Sequence, residues 1–301
     1  MISSSKIGQR FWQYQKERFP LLAHGILIAS FTFSAMAFSN ICRNAIESFH
    51  VNSFFKAFIN TFLLFLLLRI SDEFKDKEFD AINRPHLPVP RGLVTLSELK
   101  ILGISVLFLL IIFNVIFAAA HLFIFTFVLL YGGLMFKEFF IKHWLEKNQV
   151  FYVASHMMII PLVDTMASSF DWMGQQPNVN GLLWFFAVSF FNGCTLELGR
   201  KIKSKDNEEA NSYSKALGFS KAMLYFQTVV FITFLLCLGA ANYAHLALGH
   251  FLVFAILYVV SALFGWYYYV HQTKKNSKLF EAISGIWAIG MYLNLGISIV
   301  L

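Results

Sequence analysis

Nine apolar stretches, each close to the length a helix needs to cross a bilayer, constrain this chain more than any other feature. They run roughly Pro20–Cys42, Phe54–Ser71, Ser97–Ala119, His121–Phe140, Val150–Phe170, Val179–Gly199, Ser220–Ala241, Tyr243–Val270 and Leu279–Leu301. In hydrocarbon a backbone must satisfy its own N–H and C=O groups, and runs of this length do so as helices. Charge is scarce, at 14% of residues, where a soluble domain carries about a quarter. The expected fold is therefore all-α, a single polytopic membrane domain over residues 1–301. The first twenty residues, MISSSKIGQRFWQYQKERFP, are polar and basic. They lack the apolar core of a cleaved leader, so the first apolar stretch is expected to stay as a helix.

The loops sort by charge. Lys6, Arg10, Lys16 and Arg18 precede the first span, and Lys75, Lys77, Arg84 and Arg91 follow the second. Lys137, Lys142 and Lys147 follow the fourth; Arg200, Lys201, Lys203, Lys205 and Lys215 follow the sixth; Lys274, Lys275 and Lys278 follow the eighth. The connectors AAAH, DWMGQQPNVN and AANYAH carry no Lys or Arg, while the first connector holds Arg43 and Lys56. Cytoplasmic loops are the basic ones. The expectation is a cytoplasmic N-terminal segment (1–19), cytoplasmic loops at 72–96 and 200–219, and an external C-terminus. The net charge of +7 is thereby accounted for by topology, and nucleic acid is not an expected partner. Cys42, Cys194 and Cys237 have no metal-type spacing and read as small buried residues.

The densest chemistry lies at the end of the second span. Asp72, Glu73, Asp76, Glu78 and Asp80 fall within nine residues, and a proline-rich loop with Arg84, His86 and Arg91 follows. No Pro or Gly interrupts the run before Pro85, so the helix is expected to continue through it. Residues 73, 76 and 80 then share one face, with Asp72 at its margin. Carboxylates converging at a membrane helix end repel one another unless a cation neutralises them. Magnesium prefers hard oxygen ligands, one or two carboxylates with water and substrate phosphates. Arginine forks match phosphate oxygens. The combination is expected to hold Mg²⁺ and a diphosphate, with Asp72, Glu73, Asp76 and Asp80 on the metal and Arg84 and Arg91 on the phosphates.

With these residues the chain resembles the UbiA superfamily of intramembrane prenyltransferases, which have nine transmembrane helices around a central cavity. That family's first motif, N-D-x-x-D-x-x-x-D, closes helix two and leads into a basic loop ending R-P-L-P-S-G. The matching residues here are Asp72-Glu73-Phe74-Lys75-Asp76-Lys77-Glu78-Phe79-Asp80, then Arg84-Pro85 and Pro88-Val89-Pro90-Arg91-Gly92. Asp72 replaces the Asn and Glu73 the first Asp. The resemblance implies a cavity opening sideways to lipid, a Mg²⁺-bound prenyl diphosphate, and ionisation to an allylic cation. Asp76, Asp80, Arg84 and Glu197 are the expected catalytic residues. A lipophilic acceptor captures the cation, or an internal double bond does, as in a terpene cyclase.

The family's second motif, D-x-x-x-D, closes helix six. Here Glu197 takes the first Asp's place and Lys201 the second's, within Asn192-Gly193-Cys194-Thr195-Leu196-Glu197-Leu198-Gly199-Arg200-Lys201. Arg200 and Lys201 are expected on the diphosphate. Glu197 either keeps one metal or orients Arg200, and Asp206, Glu208 or Glu209 in the loop are alternative ligands.

Lesser signals remain. Lys137, after Tyr131, is similar to a family basic residue that reaches the diphosphate, although Glu138 stands where a second base is usual; Lys137 also fits a snorkelling role. Asp164 lies inside an apolar span, near Asp171. Asn60 and Asn192 read best as interhelical hydrogen-bonding groups. Trp266–Tyr269 suits an interfacial aromatic belt. A rival reading, an ion-coupled transporter, needs acids at mid-membrane in broken helices; the acidic cluster at a helix end beside arginines disfavours it.

Overall fold

The computed structural model describes residues 7–204 and 212–299, and among them every regular element is helical. In chain order these are α1 (Ile7–Arg18), α2 (Leu21–Cys42), α3 (Val51–Lys75), α4 (Lys77–Asn83), α5 (Leu96–Phe117), α6 (Leu122–Phe136) and α7 (Lys142–Lys147). Then come α8 (Gln149–Met157), α9 (Ile159–Trp172), α10 (Val179–Lys201), α11 (Tyr213–Leu217), α12 (Phe219–Tyr243), α13 (Leu248–Val270) and α14 (Lys274–Gly296). Counting α8 and α9 as one crossing, the described residues hold nine helices long and apolar enough to span a membrane. Each falls on one of the nine apolar stretches. The chain is an integral, multi-pass membrane protein.

The breaks have local causes. Pro20 separates α1 from α2 at φ −52° and ψ 106°. α5 starts on a capping box: Glu98 N donates to Thr95 Oγ1 at 3.2 Å and Thr95 N donates to Glu98 Oε2 at 2.8 Å, satisfying two N–H groups a helix start leaves over. α8 gives way to α9 at Met158, three residues before Pro161, whose missing N–H and bulky ring interrupt the ladder there.

The bundle has an inner and an outer set of helices. α2 packs on α3, α9, α10 and α14, while α5, α6, α12 and α13 lie outside. Half of α2's apolar stretch is buried, against 11% for α6. Small residues bring the inner helices together, as in other membrane bundles. A Cβ on Gly199 of α10 would sit 2.2 Å from Ser284 Oγ of α14. One on Gly296 would sit 2.9 Å from the Ser34 backbone of α2.

One expectation fails locally. The helix does not run straight through the acidic segment. It kinks at Asp76 (φ −94°, ψ 6°), which ends α3 and begins α4.

Candidate active site

The kink divides the acidic residues into two groups. Glu73 and Asp80 turn toward α1 and are buried, each 2% exposed. Arg18 donates from Nε to Glu73 at 2.5 Å and lies 3.8 Å from Asp80. Arg69 adds a bond to Glu73 at 2.8 Å, and Arg84 one to Asp80 at 3.1 Å. Two carboxylates are thus held by three guanidiniums. Burial pushes the Asp80 carboxyl above its usual range, against the pull of Arg84. The expected metal-ligand face of 73, 76 and 80 is therefore not formed. Glu73 and Asp80 pin α1 to the ends of α3 and α4. The helix is fixed further by Arg10, which bonds Glu98 and the Leu93 carbonyl.

Arg91 is likewise placed apart from the carboxylates it was expected to join. It forks onto Glu17 of α1 at 2.7 and 2.8 Å. The Glu17 carboxyl is lowered, first by that hydrogen bond. Arg84 stacks over Phe79 and faces Asp80.

Asp72 and Asp76 form the second group. Asp72 has one long contact, 3.4 Å to Arg69, and its side chain is 45% exposed. Its other charged neighbours are Asp76, Lys75 and, across the bundle, Arg200. Arg200 is itself 56% exposed at its side chain, although its neighbours lie on α2, α3 and α14. What it is exposed to is an opening inside the bundle. Asp76 makes no ion pair among the described residues and lines a cavity of about 660 Å³ at the helix ends. The other charged residues lining it are Lys75, Glu78, Lys137, Glu138, Lys142, Lys201 and Lys215, with Tyr152 and Tyr213 among the aromatic ones. The ends of α3 and α10 thus meet at one cavity, as the matching placement of the two motifs in sequence requires.

On the α10 side Glu197 is spoken for. Its Oε2 accepts from Arg200 at 2.6 Å and its Oε1 pairs with Lys201 at 2.6 Å. No group of three or more His, Cys, Asp or Glu among the described residues could hold a metal. Asp206, Glu208 and Glu209 lie outside the described residues. A donor set of two open carboxylates, Asp72 and Asp76, still suits one Mg²⁺ whose remaining ligands are phosphate oxygens and water. Glu197, gripped by two cations, does not suit a second.

A cluster that sequence reasoning missed forms the facing wall. Glu138, 8% exposed, has Lys75 Nζ 2.8 Å from Oε1 and His156 Nε2 3.1 Å from Oε2. Lys75 Nζ is also 3.0 Å from His156 Nε2. His156 stacks on Tyr152 and directs Nδ1 at the Tyr152 carbonyl, 2.8 Å away. Glu138, Phe139 and Phe140 have φ values of 49°, 52° and 61°, a left-handed run costing about 1–2 kcal/mol per residue. Burial works against ionising Glu138, yet His156 and Lys75 hold its carboxyl below the usual range. Two signals pointed here: an acid where the resemblance implies a base, and a lone His in an apolar span.

The lesser candidates separate as well. Asn60 and Asn114 exchange amide hydrogen bonds at 2.9 and 3.0 Å, the interhelical role expected of Asn60. Asn192 and Asp164 are buried, and neither the amide of one nor the carboxyl of the other has a hydrogen-bond partner among the described residues. Asp171 is held by Arg43 and Asn40 at 2.9 and 2.8 Å. In the aromatic run Trp266, Tyr267 and Tyr269 are exposed, as a belt requires, while Tyr268 is buried.

A model of the UbiA prenyltransferase family matches residues 19–294, nearly the whole chain. The chain belongs to that family. Among solved structures, one reported under "Structural and mechanistic insights into the biosynthesis of Digeranylgeranylglyceryl phosphate synthase in membranes" is similar to this UbiA family member with a TM-score of 0.60. The likeness covers 97% of this chain and 99% of that one at 15% identity, and at that identity it speaks for the fold. No curated protein matches the sequence.

Proposed function

We propose that the protein is a Mg²⁺-dependent intramembrane prenyltransferase that ionises a prenyl diphosphate and passes the prenyl group to a lipophilic acceptor. The observation that carries this reading is the cavity at the meeting point of α3 and α10, where an open Asp76 faces Lys137 and Lys201. A cavity with that lining suits a diphosphate head, and the apolar bundle beyond it suits an isoprenoid tail.

Asp72 and Asp76 are the residues that would hold the metal. Mg²⁺ bound there supplies Lewis-acid stabilisation of charge on the leaving diphosphate. Lys137, Lys201 and Arg200 place fixed positive charge where that negative charge develops, in a site of low dielectric. Arg84 and Arg91 act one step back, locking Asp80 and Glu17 so that α4 and α1 keep their places. The apolar helices keep water from the allylic cation. By the charge of the loops, α1 and the cavity face the cytoplasm, and the C-terminus lies outside.

The test is pyrophosphate release by the purified protein from geranyl, farnesyl or geranylgeranyl diphosphate, with Mg²⁺ or with EDTA. Release that requires Mg²⁺ and is lost in Asp76→Asn is expected. Release from none of the three, by protein shown to be folded, would overturn the reading.

A further inference from the structure

Glu138 sits on the cavity wall in a way that bulk ion pairing does not explain. It enters the cavity from a run of three left-handed residues, a backbone that side chains other than glycine adopt only when their surroundings enforce it. The Phe139 ring enforces it here, set edge-on against Tyr131 and His156. Only one of the two carboxylate oxygens is used: Lys75 takes Oε1, while Oε2 is buried with no hydrogen bond among the described residues.

The neighbouring ring accounts for the unused oxygen. His156 Nδ1 faces the Tyr152 carbonyl, an acceptor, so the ring proton belongs on Nδ1. Nε2 then accepts from Lys75 Nζ at 3.0 Å. Nε2 and Glu138 Oε2, 3.1 Å apart, are therefore two acceptors face to face. A single proton arriving at Oε2 turns that contact into a hydrogen bond.

We propose that Glu138 is the catalytic proton acceptor of this enzyme, taking the proton that its acceptor substrate sheds on prenylation, with His156 as the positioning residue behind it. The inference rests on the prenyl-transfer reading above. In the step, the allylic C–O bond breaks and pyrophosphate leaves with the electron pair. An oxygen lone pair, or a ring π pair, of a protic acceptor forms the new bond to the allylic carbon. The O–H or ring C–H proton passes to Glu138 Oε2 and is shared with His156 Nε2. The acceptor class that follows is amphipathic: a phenol, hydroquinone or glycerol hydroxyl at the polar mouth, with its apolar part toward lipid. Lys75 keeps Glu138 anionic before the transfer, and the charge Lys75 carries is not consumed in it.

Glu138→Gln separates the role from mere packing, because it keeps the shape and the contacts to Lys75 and His156 but cannot take a proton. The substrate is geranylgeranyl diphosphate labelled with ¹⁸O at the bridging oxygen. The acceptors are 4-hydroxybenzoate, menadiol and a glycerol-1-phosphate ester, of which the one giving adduct with the parent is carried forward. Positional isotope exchange reports ionisation and recapture; adduct mass reports transfer. The expected result is exchange retained in Glu138→Gln while adduct formation falls about a hundredfold or more, with partial recovery in Glu138→Asp. Equal adduct formation in Glu138→Gln and parent, or exchange and adduct lost together, would overturn the proton-acceptor role. A parent that neither exchanges label nor releases pyrophosphate would instead overturn prenyl transfer itself.

Discussion

Glu73 offers the sharpest test of the division made by the kink at Asp76. Its carboxylate, 1% exposed, is shared by Arg18 at 2.5 Å and Arg69 at 2.8 Å. Asp80, 3% exposed at its side chain, balances Arg84 and the far side of Arg18. The cluster therefore has three cations on two anions. Removing an anion leaves surplus buried charge, whereas removing Arg18 leaves each carboxylate with one arginine. Glu73→Gln should then destabilise the folded protein by about 3–5 kcal/mol, the range for breaking a buried pair by removing one partner. Arg18→Met should cost less, about 1.5–3 kcal/mol, the worth of a charged hydrogen bond. Asp76→Asn should leave stability near that of the parent, because no side chain among the described residues pairs with it. Unfolding in mixed micelles at rising SDS fraction, followed by tryptophan fluorescence, gives the three values. Titration calorimetry with Mg²⁺ and pyrophosphate supplies the second axis, on which only Asp76→Asn should lose binding outright. A Glu73→Gln protein as stable as the parent but unable to bind Mg²⁺–pyrophosphate would refute the reasoning, since that is the behaviour of a metal ligand.

The reciprocal amide pair between α3 and α5 should behave as a coupled unit: Asn60→Leu or Asn114→Leu alone should cost about 1–2 kcal/mol in the same unfolding assay. The double variant should recover most of it, and additive losses would show that the pair is not coupled. Acid should loosen α1 through Glu17, whose carboxyl is held below its unfolded value, first by the hydrogen bond from Arg91. A depressed folded pKa gives stabilisation that is present above the unfolded value and lost as pH falls through the folded one, so pepsin cleavage within residues 7–19 should rise below about pH 4.3. Glu17→Gln should lack that rise, and identical pH profiles for the two proteins would exclude the Glu17–Arg91 pair as the clasp.

Much of the fold was legible because length and apolarity alone decide what can cross a bilayer. Each of the nine runs became a span, and charge placement had already put the ends of α3 and α10 on one side. The residue types of the site were legible too, but their partners were not. Arg18 lies 55 residues from Glu73, and Arg91 lies 74 from Glu17. Nothing in the acidic segment itself says that an amphipathic helix before the first span will claim two of its carboxylates. The kink at Asp76 has no proline or glycine to announce it. It arises where Glu73 and Asp80 are drawn to α1 while Asp76 faces the cavity. Glu138 and His156 were invisible for a related reason. Each is unremarkable alone, and only the left-handed turn at 138–140 brings them within 3.1 Å.

The altered second motif is best understood through charge rather than geometry. Among the described residues the cavity lining holds five lysines (75, 137, 142, 201 and 215) against three carboxylates (Asp76, Glu78 and Glu138). Such a surplus opposes cations and favours a polyanion in low dielectric. A diphosphate with one Mg²⁺ on Asp72 and Asp76 would bring the site close to neutrality, and a second Mg²⁺ would leave it strongly positive. Lys201 thus stands in for the missing metal as a fixed charge that hydrogen-bonds directly, and Glu197 serves to hold Lys201 and Arg200 in position. On the proposed reading, charge that a second metal would carry in and out with substrate is here built into α10, so the leaving pyrophosphate meets part of its neutralising charge already in place.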